Sequence, residues 1–383
     1  MDFLQNFLPQ LIKYDVTDWA KMVAMWIVGG ILIYLAIKKD MEPALLLPMG
    51  FGAILVNLPL SGAVEQVVDG VTEAGPLTDL FRAGIENELF PLILFIGIGA
   101  MIDFSPLISN PKLMIFGAAA QFGIFVTLAL ALLLGFDIND AASAAAIGAA
   151  DGPTSIFISM KFKSNYFPAI MVAAYSYMAL VPIIQPPVIR AITTKKERLI
   201  RMPYQQKEVS RTTLILFPIV ITIVAGIVAP KSVALVGFLM FGNLIRACGV
   251  LDNLSETAQN ALANLVTILL GIAVASQMAA DKFVTWDTLK ILLLGLVAFI
   301  FDTVGGVMLA KFINLFSKNK INPMIGACGI SAFPMSARVI HKMGLKEDNQ
   351  NFLLMHAIGV NVSGQISSVI AGGLILSLFA QYV

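Results

Sequence analysis

Charge is scarce in this sequence. Asp, Glu, Lys and Arg supply 13% of its 383 residues, about half the roughly 25% of an ordinary soluble domain, which excludes a water-covered globular fold. The charge present nearly cancels, at 25 basic and 24 acidic side chains, so there is no broad cationic surface and no nucleic-acid partner is expected. Cysteine and histidine are almost missing. Cys248 and Cys328 stand in or beside apolar segments, as small buried hydrophobes do rather than a disulfide pair. With only His341 and His356 to join them, a zinc or iron–sulfur centre is excluded, and any ion must be held by oxygen. Neither G-x-x-x-x-G-K-[ST] nor G-x-G-x-x-G after a strand occurs, which argues against an ATP-driven pump. Residues 1–18 lack the basic start and cleavage site of a secretory signal. The first apolar stretch is therefore expected to stay in the mature chain, after an interfacial opening.

What fills the chain instead is apolar: 58% of residues are hydrophobic and the mean hydropathy is +0.86. Several windows exceed the roughly 20 residues a helix needs to cross hydrocarbon, and none alternates as the strands of an outer-membrane barrel do. The expected fold class is all-α: a polytopic membrane protein whose solvent is the lipid bilayer. Candidate spans lie near 19–37, 43–60, 89–102, 113–135, 140–160, 168–189, 212–229, 232–248, 261–279, 288–312, 321–340 and 352–380. Between Arg190 and Arg211 five further basic residues (Lys195, Lys196, Arg198, Arg201, Lys207) face only Glu197 and Glu208, which predicts a cytoplasmic loop. The chain thus divides into a membrane half 1–190, a basic loop 191–211 and a second membrane half 212–383.

Sliding the sequence along itself by 178 positions sets Asp103 on Asp281, Lys112 on Lys290, Gly117 on Gly295 and Gly148-Ala149 on Gly326-Ala327. Each match is weak in Gly- and Ala-rich segments; the shared offset is what suggests two repeats, with an inverted relation favoured because it offers a symmetric route to alternating access. The repeat gives the stretch Gly148–Ser159 a partner. The first stretch packs Asp151, the helix-breaking Gly152-Pro153 and the hydroxyls of Thr154, Ser155 and Ser159 into apolar surroundings; the second carries Ser331, Pro334 and Ser336. A carboxylate inside a membrane segment, and broken backbone beside it, are tolerated where protein or a wet cavity covers them. Paired broken segments in two halves are the sequence mark of a binding site near mid-membrane. The competing reading, a polar Asp-Gly-Pro turn outside the bilayer, has little room between the apolar flanks 141–150 and 156–160.

Asp151, Thr154 and Ser155 with nearby carbonyls form an all-oxygen set suited to a hard cation. The carboxylate alone leaves Na+ and a proton both open. Ser331 and Ser336 would complete the cage from the second half, against the ordinary alternative of hydroxyls bonded to their own helix. Arg338, if buried, would hold a carboxylate; otherwise it snorkels toward the interface with His341 and Lys342. Asn361 and Ser368 lie seven apart on one helix face, where helix–helix bonding competes with a ligand role. Tyr175 and Tyr177 follow the Asp151 element, and a hydroxyl there can donate a proton or sit in an interfacial belt. Asp302 is a second carboxylate inside an apolar run.

Three segments, Gly148-Ala-Ala-Asp-Gly-Pro-Thr-Ser, the run from Asn322 to Arg338 and Asn361-Val-Ser-Gly-Gln-Ile, resemble the β subunit of the bacterial sodium-pumping decarboxylases, which include the oxaloacetate, methylmalonyl-CoA and glutaconyl-CoA enzymes. The resemblance runs over nearly the whole chain. It implies a multi-pass subunit of the bacterial cytoplasmic (inner) membrane that decarboxylates carboxybiotin and couples this to Na+ export with a proton consumed. By the same resemblance Asp151, Tyr177 and Arg338 are the catalytic group. Arg338, Asn361 and Asn322 hold substrate, and Asp151, Thr154, Ser155, Asn322, Ser331 and Asn361 hold Na+. The implied partners are biotin-carrier and carboxyltransferase subunits, a small membrane γ or δ subunit and further β copies in a homotrimer. No Ala-Met-Lys-Met attachment motif occurs here, so biotin would arrive on another chain. The rival readings are a secondary Na+/H+ or organic-acid transporter, which repeated halves and broken helices suit equally, and a structural scaffold, which leaves Asp151 and Asp302 unexplained.

Overall fold

The computed structural model describes residues 14–39, 42–68, 71–203, 208–379 and 381. The expected interfacial opening falls mainly on residues 1–13, and Lys207 of the basic loop is also outside the described residues. Among the described residues the chain is helical except for a two-stranded antiparallel hairpin, β1 (Gln66–Val68) with β2 (Val71–Glu73).

The first membrane half contributes α1 (Val16–Lys39), α2 (Pro43–Val56), α3 (Leu89–Met101), α4 (Met114–Ala120), α5 (Phe122–Leu133), α6 (Ile138–Ala145), α7 (Gly152–Lys161) and α8 (Phe167–Ile192). After the basic loop come α9 (Arg211–Val228), α10 (Val233–Ala247), α11 (Ala263–Ala275), α12 (Trp286–Phe316), the 3-10 segment Pro323–Gly329, α13 (Met335–Glu347) and α14 (Leu354–Leu378). Each half contains one broken segment, at 146–152 and at 323–335.

Seven helices among the described residues are long and apolar enough to cross a membrane, or eight if Pro76–Glu86 and Leu89–Met101 form one bent span. That is fewer crossings than the twelve spans expected from the sequence. α2 has 14 residues and α10 has 15, so each reaches only about 21–23 Å at 1.5 Å per residue, short of the roughly 30 Å of hydrocarbon. The spans expected at 140–160 and 321–340 are each interrupted.

The breaks have local causes. α6 tightens into a 3-10 turn at Ala146–Ala149, Ala150 takes a left-handed conformation (φ 50°), and Asp151 turns extended. Asp151 then caps α7, accepting from the Thr154 amide, and Pro153 occupies the first turn, where its missing N–H costs nothing. In the second half Asn322 caps the 3-10 segment and Pro334 precedes α13.

The described chain forms two compact units, residues 1–91 with 264–290, and 92–263 with 291–383. Each takes residues from both sides of the basic loop, so compactness does not follow the division of the sequence at 191–211. In the first unit, α1 and α2 approach backbone to backbone: a methyl group at Gly29 would stand 2.6 Å from the Gly50 carbonyl oxygen. Asn57 ties α2 to the 278–280 turn, donating to Met278 O (2.8 Å) and accepting from the Ala280 amide (2.7 Å). The second unit is built on buried Phe95, Phe104, Phe116, Phe162 and Phe299. Its helices cross closely where glycines meet, as at Gly306, where an added methyl would fall 2.0 Å from the Gly326 carbonyl oxygen.

Candidate functional site

Within the second unit the two broken segments meet. The Ser331 amide donates to the Ala149 carbonyl at 3.1 Å, a bond between residues 182 positions apart in sequence. Asp151 is buried, at 4% exposure. Its Oδ2 accepts from Thr154 Oγ1 (2.7 Å) and Ser368 Oγ (3.3 Å). The hydroxyls of Ser368 and Ser331 are hydrogen-bonded to one another, and Ser331 Oγ also donates to Gly364 O at 3.1 Å. Ser368 on α14 therefore links the carboxylate of one broken segment to the hydroxyl of the other. Ser155 points its hydroxyl at the Ala146 and Asp151 carbonyls (3.0 and 2.9 Å), closing the first break on itself.

Breaking a helix frees carbonyls that need donors in a place without bulk water. Four amide side chains meet that need around the second break. Asn361 donates to Ile330 O (2.7 Å) and Cys328 O (3.2 Å), and Gln185 to Ala327 O (2.8 Å). Gln121 reaches Gly329 O (3.4 Å), and Gln365 donates to Ser331 O. Ser336 bonds Gln185 Oε1 at 2.9 Å instead of joining the cage. Among the described residues, three buried oxygens near the crossing have no hydrogen-bond partner, Asn361 Oδ1, Tyr175 Oη and Gln121 Oε1. These oxygens and the Asp151 carboxylate have spare lone pairs of the kind a hard cation takes.

The remaining expected residues are placed differently. Tyr175, 1% exposed, lies against Gly152, the residue after Asp151. Tyr177 is half-buried and donates its hydroxyl to Leu292 O. Asn322 spends its amide on Arg198 O (2.9 Å) and Ile200 O (2.8 Å), so in this structure it holds the start of the 3-10 segment against the basic loop. Arg338 is exposed on α13 and forms no ion pair among the described residues, matching the snorkelling alternative rather than a buried carboxylate clamp. Below it the loop docks on the end of α13: Arg198 pairs with Glu347 (2.8 Å), and Arg201, bonded to Asp348 at 2.6 Å, holds that carboxyl below its ordinary range. Sequence reasoning missed Gln121 and Gln185; the available signal was an isolated amide within an otherwise apolar helix.

Gly152 is required by the tyrosine beside it. A methyl group there would meet Tyr175 Cε1 at 2.2 Å, and overpacking of this kind costs about 1–3 kcal/mol. Gly152→Ala is expected to lower the melting temperature of the purified subunit, and Gly152→Ala with Tyr175→Leu to recover part of the loss. An unchanged melting temperature in the single variant would show that the ring does not occupy this space.

A polytopic helical protein with two broken segments crossing around a buried carboxylate belongs to the class of ion-translocating membrane proteins. Comparison with known proteins defines the family. Residues 21–379 match the family model described as Na+-transporting oxaloacetate decarboxylase beta subunit. The chain is 48% identical to the methylmalonyl-CoA decarboxylase subunit beta of Propionigenium modestum, over 93% of this chain and 94% of that one. It is 45% identical to the oxaloacetate decarboxylase beta chain of Haemophilus ducreyi, over 94% and 95%, and 48% identical to the methylmalonyl-CoA decarboxylase subunit beta of Veillonella parvula, over 94% and 93%. This chain belongs to the family of β subunits of Na+-transporting decarboxylases, the membrane components of decarboxylase-coupled sodium pumps.

Proposed function

We propose that this subunit releases CO2 from carboxybiotin presented by a partner chain and uses the reaction to export Na+ across the bacterial cytoplasmic membrane, one proton being consumed. The observation that carries this reading is the chain of bonds Asp151–Ser368–Ser331, which joins two broken segments at one oxygen-rich point. Na+ is the cargo, held by Asp151, Thr154, Ser155, Ser331 and Asn361, with Ser368 added by its position. Asn322 contributes by fixing the second broken segment. When the N-carboxylate leaves as CO2, the ureido nitrogen keeps the bonding electron pair and takes up a proton. Tyr175, beside Asp151, is better placed than Tyr177 to pass that proton, because the Tyr177 hydroxyl is committed to a backbone carbonyl.

Arg338 is free to meet an anion arriving from water, and a guanidinium suits a carboxylate better than an ammonium does. The carrier and carboxyltransferase functions fall to other subunits, with a small γ or δ membrane subunit and a β homotrimer as the assembly. The two halves act as inverted repeats around the crossing. Relatives named for oxaloacetate and for methylmalonyl-CoA are almost equally similar, consistent with a membrane subunit that meets biotin rather than the acid itself.

The test is a proteoliposome supplied from outside with both 22Na+ and carboxybiotin. Sodium movement in step with CO2 release is expected, whereas exchange driven by a solute gradient alone would favour a secondary transporter. Arg338→Gln is expected to raise the KM for carboxybiotin about tenfold or more, with Na+ affinity unchanged, since a charge-assisted pair contributes about 1.5–3 kcal/mol. Equal KM values would remove Arg338 from substrate binding.

A further inference from the structure

α12 carries a second carboxylate into the interior of the second unit. Asp302 is 1% exposed, and neither of its oxygens has a hydrogen-bond partner. The surroundings are nevertheless shaped for a carboxyl group. α4 ends at Ala120 and α5 begins afresh at Phe122, so the first turn of α5 lacks the full i→i−4 pairing, and the Ile124 amide has only a 3.2 Å bond to the Gln121 carbonyl. The Gly123 and Ile124 amides face Asp302. On the other side stands Gly148, in the 3-10 turn that leads into Asp151. A methyl group would come 2.4 Å from Oδ1 at Gly123 and 2.8 Å from Oδ2 at Gly148, so the carboxyl fits only because both positions are glycine.

The neighbours also select the ligand. A metal ion needs several oxygens, yet what faces this carboxylate is N–H and glycine Cα, and the nearby Thr303 hydroxyl is used on Phe299 O at 3.1 Å. Amide N–H groups at a helix N-terminus stabilise an anion and repel a cation. A proton alone needs no further ligand. Neither α4, α5 nor the 146–149 turn carries a titratable side chain. The 3-10 segment packed on α12 offers only Cys328, and α8, which meets α12 where Tyr177 covers Gly295, offers Tyr175, Tyr177 and the distant Arg190. Asp151 is the next carboxylate along the turn.

We propose that Asp302 is a proton-binding site, separate from the cation site at Asp151 and linked to it through the turn at Gly148. Deprotonated, the carboxylate is held between the Gly123 and Ile124 amides. Protonated, it is neutral, its hold on the α5 terminus weakens, and the Gly148 turn that carries Asp151 is free to shift. The linkage rests on the reading of Asp151 as the sodium site; the protonation of Asp302 does not.

The test uses the full-length subunit in lipid nanodiscs. Infrared difference spectra across a pH titration are expected to show a protonated-carboxyl band that persists in Asp151→Asn, shifts in Asp302→Glu and vanishes in Asp302→Asn. Na+ affinity is expected to change about tenfold or more across the titration in the wild type and less than about twofold in Asp302→Asn, within the usual range of coupling between sites. A band and a pH dependence unaltered in Asp302→Asn would overturn the proposal. If that variant fails to assemble, the wild type decides, because the absence of any titrating carboxyl band overturns it equally. A band lost with Asp302 while Asp151→Asn still binds Na+ normally would instead sink the sodium-site reading and leave the proton site standing.

Discussion

Asp151→Asn is expected to abolish sodium-dependent decarboxylation and to weaken Na+ binding by about two to three orders of magnitude. The substitution removes one charge and almost no volume. Removing one partner of a buried ionic interaction costs about 3–5 kcal/mol, and each 1.4 kcal/mol is tenfold in affinity. The fold should survive, which makes the result interpretable. Asn caps helices as well as Asp does, so its Oδ1 can still accept from the Thr154 amide, now at 3.3 Å, while its Nδ2 donates to the Thr154 hydroxyl, which turns to accept. The measurements are 22Na+ uptake and CO2 release in the same vesicles, with thermal unfolding as the control. Full coupled activity in a stably folded Asp151→Asn protein would show that the cation does not bind here.

Asn361→Leu is expected to be the most damaging change on α14. It strips the Ile330 and Cys328 carbonyls of their donor and removes the unpaired Oδ1 from the cation's surroundings. An interhelical hydrogen bond in a membrane averages only ~0.6 kcal/mol, because the unfolded helix finds other partners. Carbonyls freed by a helix break have no such alternative, and each one left buried without a donor costs about 1–3 kcal/mol. A loss of about 2–6 kcal/mol therefore follows, together with loss of the extra thermal stability that Na+ confers on the wild type. Ser363→Ala on the same helix is the contrast. That hydroxyl bonds its own helix at Val360 O and the Leu113 carbonyl, so a drop of about 1 kcal/mol or less is expected and the sodium effect should remain. Equal melting behaviour of the two variants, with and without Na+, would show that the amide does not support the break.

Much of the architecture was legible because it follows from composition and from local backbone chemistry. Apolar runs of membrane length announce helices, and Asp151-Gly152-Pro153 announces a break wherever it stands, since proline forbids the preceding helical bond and aspartate supplies a cap. The count of crossings was overestimated for a reason equally local: α2 and α10 are as apolar as true spans but too short. Side-chain partners were harder. Tyr175 and Tyr177 both stand near Asp151 in sequence, and only the close packing of Gly152 on an aromatic ring distinguishes them. For Arg338 the sequence left a buried carboxylate partner and a snorkelling position both open, and α13 presents it to solvent.

The linear chain by itself determined a helical, membrane-embedded protein with oxygen rather than sulfur or imidazole at its centre, because these depend on which residues are present and in what local order. Which oxygens converge was decided by tertiary structure alone. The Ser331–Ala149 and Ser368–Asp151 bonds join residues 182 and 217 positions apart. No local propensity encodes such a meeting; it arises because two interrupted helices must cover each other's freed backbone groups where water is not available to do so.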